Sequence, residues 1–170
     1  MRRAVTLYVR CVDTFNRWVG RFAMNLLFVM GAMMLYAIFS RLVLGMPVNW
    51  VMEMSQFLLA AYYLLGGAYS LQLDGHVRMD LFYSNLSPYR RAVTDALTIF
   101  FILFYLGVLL YGGLSSTEYA WSYNQKNYTS WAPPMWPIKA IMTFGIFLML
   151  LQCISSLFKD IAIARGKPIA

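Results

Sequence analysis

The chain has 170 residues, 61% hydrophobic, 17% aromatic and only 12% charged, with a formal net charge of +7. Soluble domains carry about a quarter charged residues, so this composition excludes an ordinary soluble domain and points to an all-α membrane protein. The basic excess does not call for a nucleic acid, because the lysines and arginines sit at the ends of apolar runs, where anionic lipid headgroups are the simpler counterpart.

The first 21 residues hold Val5, Tyr8, Val12, Phe15, Val19 and Phe22 at spacings of three and four, opposite Arg3, Arg10, Asp13, Thr14, Arg17 and Arg21. This pattern predicts an N-terminal amphipathic helix in the membrane interface, with Arg17 and Arg21 toward lipid phosphates. A seam against another helix would give the same spacing, and nothing separates the segment from the span that follows. Five arginines and an aspartate here, before an apolar run of full spanning length, argue for a retained first span rather than a cleaved signal.

Four segments are free of charge over about the 20 residues that cross 30 Å of hydrocarbon as a helix: Phe22 to Ser40, Met54 to Leu73, Ala96 to Thr117 and Ala140 to Phe158. The expectation is one four-helix membrane domain over 1–170. Gly45 and Pro47 make the first link short, so the first two spans form an antiparallel hairpin. Glu53 then falls in the first turn of span two, either complementing the helix dipole or ion-paired with Arg41 or a partner subunit. Further along, Ala60, Ala61, Gly66, Gly67, Ala68 and Ser70 offer a small-residue face for another helix.

Residues 74–91 interrupt the apolar sequence with the chain's single histidine, His76, and with Asp74, Arg78, Asp80, Arg90 and Arg91. Gly75 suits the end of span two, and Ser87-Pro88 reads as an N-cap followed by proline at the first helical position. Arg90 and Arg91 are placed to hold lipid phosphates. The loop 118–137 is aromatic instead: Tyr119, Trp121, Tyr123, Tyr128 and Trp131 lead into Pro133, Pro134, Trp136 and Pro137, as a headgroup belt or as a docking surface.

Eleven basic residues fall on the side of the termini and the 74–91 loop, and three (Arg41, Lys126, Lys139) on the other. The positive-inside rule places both termini in the cytoplasm and the aromatic loop outside. No charged residue lies near the centre of any predicted span, which leaves no proton relay or ion path of the usual kind. A lone loop histidine, scattered carboxylates, and Cys11 and Cys153 without further Cys/His grouping give no catalytic or metal constellation. No enzyme, cofactor or disulfide is expected, and two function classes remain: a subunit that packs against something larger, or a self-contained small carrier acting as a homo-oligomer.

The motifs Trp50-x-x-Glu53, Gly66-Gly67-Ala68-Tyr69, Asp74-Gly75-His76-Val77-Arg78-Met79-Asp80, Ser87-Pro88-x-Arg90-Arg91 and Trp131-x-Pro133-Pro134-x-Trp136-Pro137-Ile138-Lys139, with Gln152, together resemble the small permease subunit, DctQ type, of tripartite ATP-independent periplasmic (TRAP) transporters. The resemblance implies a multi-pass protein of the bacterial inner membrane, beside a large sodium-coupled permease fed with an organic acid by a periplasmic binding protein. On that reading Glu53, Gly66, Gly67, Tyr69, His76, Arg78 and Asp80 are candidates to contact the large subunit. Arg17, Arg21, Arg90, Arg91 and Trp136 would anchor in lipid, and Tyr119, Trp121, Tyr123 and Tyr128 would receive the binding protein.

Overall fold

The computed structural model describes residues 2–73 and 88–164, with side chains over 5–73 and 98–159. Among the described residues four helices follow one another: α1 (Arg2–Val43), α2 (Trp50–Gln72), α3 (Pro88–Ser122) and α4 (Trp136–Ala164). No strand is present among the described residues. Helix α3 starts at the proline of the Ser-Pro pair, as the sequence predicts.

The interfacial helix expected over 1–21 is not a separate element. Helix α1 runs unbroken for 42 residues, roughly 63 Å, with no proline to stop it. Its buried side in the first half is Val9, Asn16, Val19, Gly20 and Ala23, while Phe15 and Phe22 of the predicted stripe are exposed. The seam is therefore rotated from the apolar stripe, and it carries polar groups inward.

Helices α1, α3 and α4 each contain a stretch long and apolar enough to cross a membrane: Val5–Val43, Thr98–Ser122 and Trp136–Lys159. The fourth expected span, α2, is 23 residues or roughly 34 Å long, but Glu53, Gln56, Gln72 and Tyr62, Tyr63 and Tyr69 make it less apolar than its neighbours. This helix has protein on two sides, packing against both α1 and α4.

Helix α4 is the hub, touching α1, α2 and α3, whereas α3 lies at the edge and rests chiefly on α4. Accordingly 39% of α4's most apolar window is buried inside the chain, against 6% for α1 and α3. Two glycines let the backbones approach. A Cβ at Gly145 would stand 2.9 Å from the Leu64 carbonyl carbon, and one at Gly20 would stand 2.5 Å from Tyr69 Cβ. In lipid, where apolar burial between helices gains little, such close contact is a main source of association.

The α1–α2 link closes tightly. Gly45 takes φ +64, the Met46 N–H returns to the Ser40 carbonyl at 3.3 Å, and Ser40 Oγ donates to the Met46 carbonyl at 3.1 Å.

Candidate functional site

At the end of the bundle where α1 begins and α4 finishes, these two helices are joined by polar side chains. Asn16 Nδ2 donates to Gln152 Oε1 at 2.6 Å, and Gln152 Nε2 donates to Asp13 Oδ1 at 3.0 Å. Ser155 Oγ donates to the same carboxylate at 3.3 Å, and Lys159 ion-pairs with its other oxygen. Asn16 is 1% exposed, and Gln152 and Ser155 are fully buried. Alongside, Tyr8 donates to the Leu151 carbonyl at 3.2 Å and meets Phe158 edge-on. This constellation holds two helices in register and contains no nucleophile activated by a base.

Asp13 thus faces inward rather than lying on the basic outer face that its neighbours in sequence suggest. Sequence reasoning passed over Asn16, Ser155 and Lys159, although a signal was there. Asp13 and Asn16 are three apart on α1, and Gln152, Ser155 and Lys159 follow at spacings of three and four on α4, which puts each set on one helix face.

At the opposite end residues 123–135 fold back as a compact hairpin. Lys126 pairs with Pro134 in an antiparallel bridge, the Asn127 N–H donates to the Pro133 carbonyl at 3.0 Å, and the Met135 N–H donates to the Gln125 carbonyl at 2.9 Å. Asn124 and Ala132 take positive φ, 47° and 44°, to make the turns. Lys139 Nζ reaches from the first turn of α4 to Gln125 Oε1 at 2.8 Å and the Ser116 carbonyl at 3.5 Å, tying hairpin, α3 and α4 together.

The aromatic residues of this end are arranged around the hairpin. Trp121 and Trp136 meet edge to face with centroids 4.8 Å apart, Tyr119 lies against Tyr123 at 4.5 Å, and Trp50 at the start of α2 reaches Trp131 at 6.5 Å. Tyr119, Trp121 and Tyr123 remain more than half exposed, and Tyr128 is wholly exposed near the hairpin tip. The four tyrosine and tryptophan candidates therefore do share one end of the molecule.

The candidates on α2 are placed differently. Gly67 lies under the Met149 side chain and Tyr69 against Gly20, so both are engaged by the chain's own α4 and α1. Glu53 is 7% exposed, on the stripe shared with Leu64 and Gly67 that faces α4, and its Oε2 has no hydrogen-bond partner. It is buried within the subunit, and Arg41 is exposed and forms no ion pair with it. Of the two glycines, Gly66 has open space before a would-be Cβ. Arg17 and Arg21 are exposed on α1, Arg90 and Arg91 stand in the first turn of α3, and His76, Arg78 and Asp80 lie outside the described residues.

Residues 30–162 match the family model described as tripartite ATP-independent periplasmic transporters, DctQ component. The chain belongs to the DctQ family. No curated protein and no solved structure matches it. The match runs from the second half of α1 to near the end of α4, and thus takes in the hairpin and its aromatic cluster. Of the polar network, Gln152, Ser155 and Lys159 fall inside the matched range, while Asp13 and Asn16 precede it. The chain is a component of a membrane transporter family rather than a member of a known enzyme family.

Proposed function

We propose that this chain is the small membrane subunit of a TRAP transporter and serves as a fixed scaffold for the large sodium-coupled permease. The permease would take up an organic acid delivered by a periplasmic binding protein, in a bacterial inner membrane. The family match carries the reading, and the packing supports it: the outward faces of α1 and α3 present Phe28, Leu35, Phe39, Phe100, Phe104 and Tyr111 with no described helix over them. A face of that kind suits lipid or another membrane protein.

In this arrangement α2 crosses the bilayer as the fourth span, shielded by α1 and α4, and the termini lie in the cytoplasm with the hairpin outside. The loop 74–91, with His76, Arg78 and Asp80, and Gly66 at the open side of α2 meet the large subunit; Glu53, Gly67 and Tyr69 act indirectly by fixing the α2 surface. Trp136 and the arginines at positions 17, 21, 90 and 91 sit at headgroup level, and Tyr119, Trp121, Tyr123 and Tyr128 receive the binding protein.

The test is co-purification and uptake with and without this chain. The scaffold reading expects the large permease to lose integrity or transport when the chain is missing; intact isolation with normal uptake would sink it. Joint replacement of the four aromatic candidates separately tests docking, which predicts weaker binding-protein capture while the membrane complex stays assembled.

A further inference from the structure

Between α3 and α4, near the hairpin end, runs a groove of about 290 Å³ lined by Tyr105, Val108, Gly112, Met142 and Ile146, with Lys139 among its lining residues and Ser116 and Thr143 beside it. The α3 residues that line it, 105 to 116, extend roughly 16 Å along the helix. The groove lies open along the α3–α4 seam and its lining is chiefly apolar, which suits a hydrocarbon chain laid lengthwise.

Its polarity is ordered lengthwise. The walls are apolar toward Tyr105 and Ile146, and Lys139 lines the end beside Ser116, where its ammonium meets the Ser116 carbonyl. That ammonium is hydrogen-bonded to two neutral acceptors, Gln125 Oε1 and the Ser116 carbonyl, and no described carboxylate lies within ion-pair distance. Its positive charge is left uncompensated one turn from Trp136, where the Trp121–Trp136 pair marks headgroup level.

We infer that this groove is a binding site for one anionic phospholipid, with an acyl chain along the α3–α4 seam and the phosphate on Lys139. Each methylene taken into the groove and the one lysine–phosphate contact contribute in the same direction. The site is independent of the transport role. It would add to the one contact on which α3 chiefly rests.

Gly112 supplies the decisive variant. It lines the groove and a Cβ there meets nothing within 4 Å, so Gly112→Leu starts from open space and should carry its side chain into the groove. Gly107 has the same open space on α3 but does not line the groove, so Gly107→Leu is the control. The full chain is reconstituted in vesicles of phosphatidylethanolamine and phosphatidylglycerol in equal amounts, extracted in mild detergent, and its retained lipid counted by native mass spectrometry. The wild type and Gly107→Leu should keep one phospholipid, with phosphatidylglycerol preferred about fivefold. Gly112→Leu should lose it, and Lys139→Gln should keep a lipid but lose the headgroup preference. Because the two variants move different readouts, a folding defect cannot imitate the pair. Equal retention in Gly112→Leu and Gly107→Leu, or an undiminished phosphatidylglycerol preference in Lys139→Gln, overturns the site. So does a photo-crosslinker at Val108 in the assembled complex that captures polypeptide rather than lipid.

Discussion

Asn16 on α1 donates to Gln152 on α4 across 2.6 Å, and neither side chain is reached by solvent. The bond ties the segment that precedes the family-matched range to the hub helix of the bundle. Removing Asn16 leaves Gln152 Oε1 buried without a donor, while Gln152 Nε2 keeps Asp13, and an orphaned buried acceptor costs more than the bond itself contributes.

Asn16→Ala should therefore destabilise the chain by about 1–2 kcal/mol. For a chain of this size that lowers the melting temperature in detergent by about 2–8 °C. The neighbouring ion pair is half-open, with side chains 18% and 30% exposed at Asp13 and Lys159, so its share is smaller and falls with added salt. Asp13→Lys and Lys159→Asp should each lower the melting temperature, and the double exchange should recover part of the loss. No recovery would mean that the pair's geometry, not its charge, matters.

Glycine replacements should divide sharply by position. Gly145→Ala puts a methyl group against the Leu64 backbone and should cost about 1–3 kcal/mol, widening the α2–α4 contact. Gly66→Ala meets open space and should be neutral or stabilising by up to about 1 kcal/mol, the usual gain in helix propensity. Disulfide trapping between cysteines placed at 64 and 145 reports the spacing directly, and equal behaviour of the two variants would remove the close-approach argument.

The α3–α4 contact carries a hydroxyl pair. Thr117 Oγ1 and Thr143 Oγ1 lie 3.0 Å apart, and each is also within bonding distance of a carbonyl four residues back, Gly113 and Lys139 respectively, so the two hydroxyl protons serve two of these three contacts at a time. A double-mutant cycle with Thr117→Val and Thr143→Val should return a coupling of about 0.6 kcal/mol, the usual size for side-chain hydrogen bonds between membrane helices. A coupling near zero would assign both hydroxyls to their own helices alone.

Cys11 is exposed on α1 and Cys153 is 5% exposed within the α3–α4 cluster. A thiol reagent on the folded chain should label Cys11 and spare Cys153 until denaturation. With a membrane-impermeant maleimide, labelling of Cys11 only from the cytoplasmic side of oriented vesicles is the outcome that the proposed topology requires. Labelling from the opposite side would invert the chain.

Composition and local pattern determined the class of the protein. A charge content of 12% and long uncharged runs require helices that satisfy their own backbones in lipid, Pro88 starts α3, and the ordered motifs from Trp50 to Gln152 point to the family. These features are local, so the sequence carries them directly. Which helix faces which was decided by tertiary structure alone. In a chain whose lipid-facing and protein-facing sides are both apolar, periodicity does not mark the buried side, so the stripe through Phe15 and Phe22 pointed outward while Asp13 and Asn16 turned in. The small-residue face of α2 was legible as a contact but not as one made with the chain's own α1 and α4, because close approach at Gly20 and Gly145 depends on residues 49 and 81 positions away.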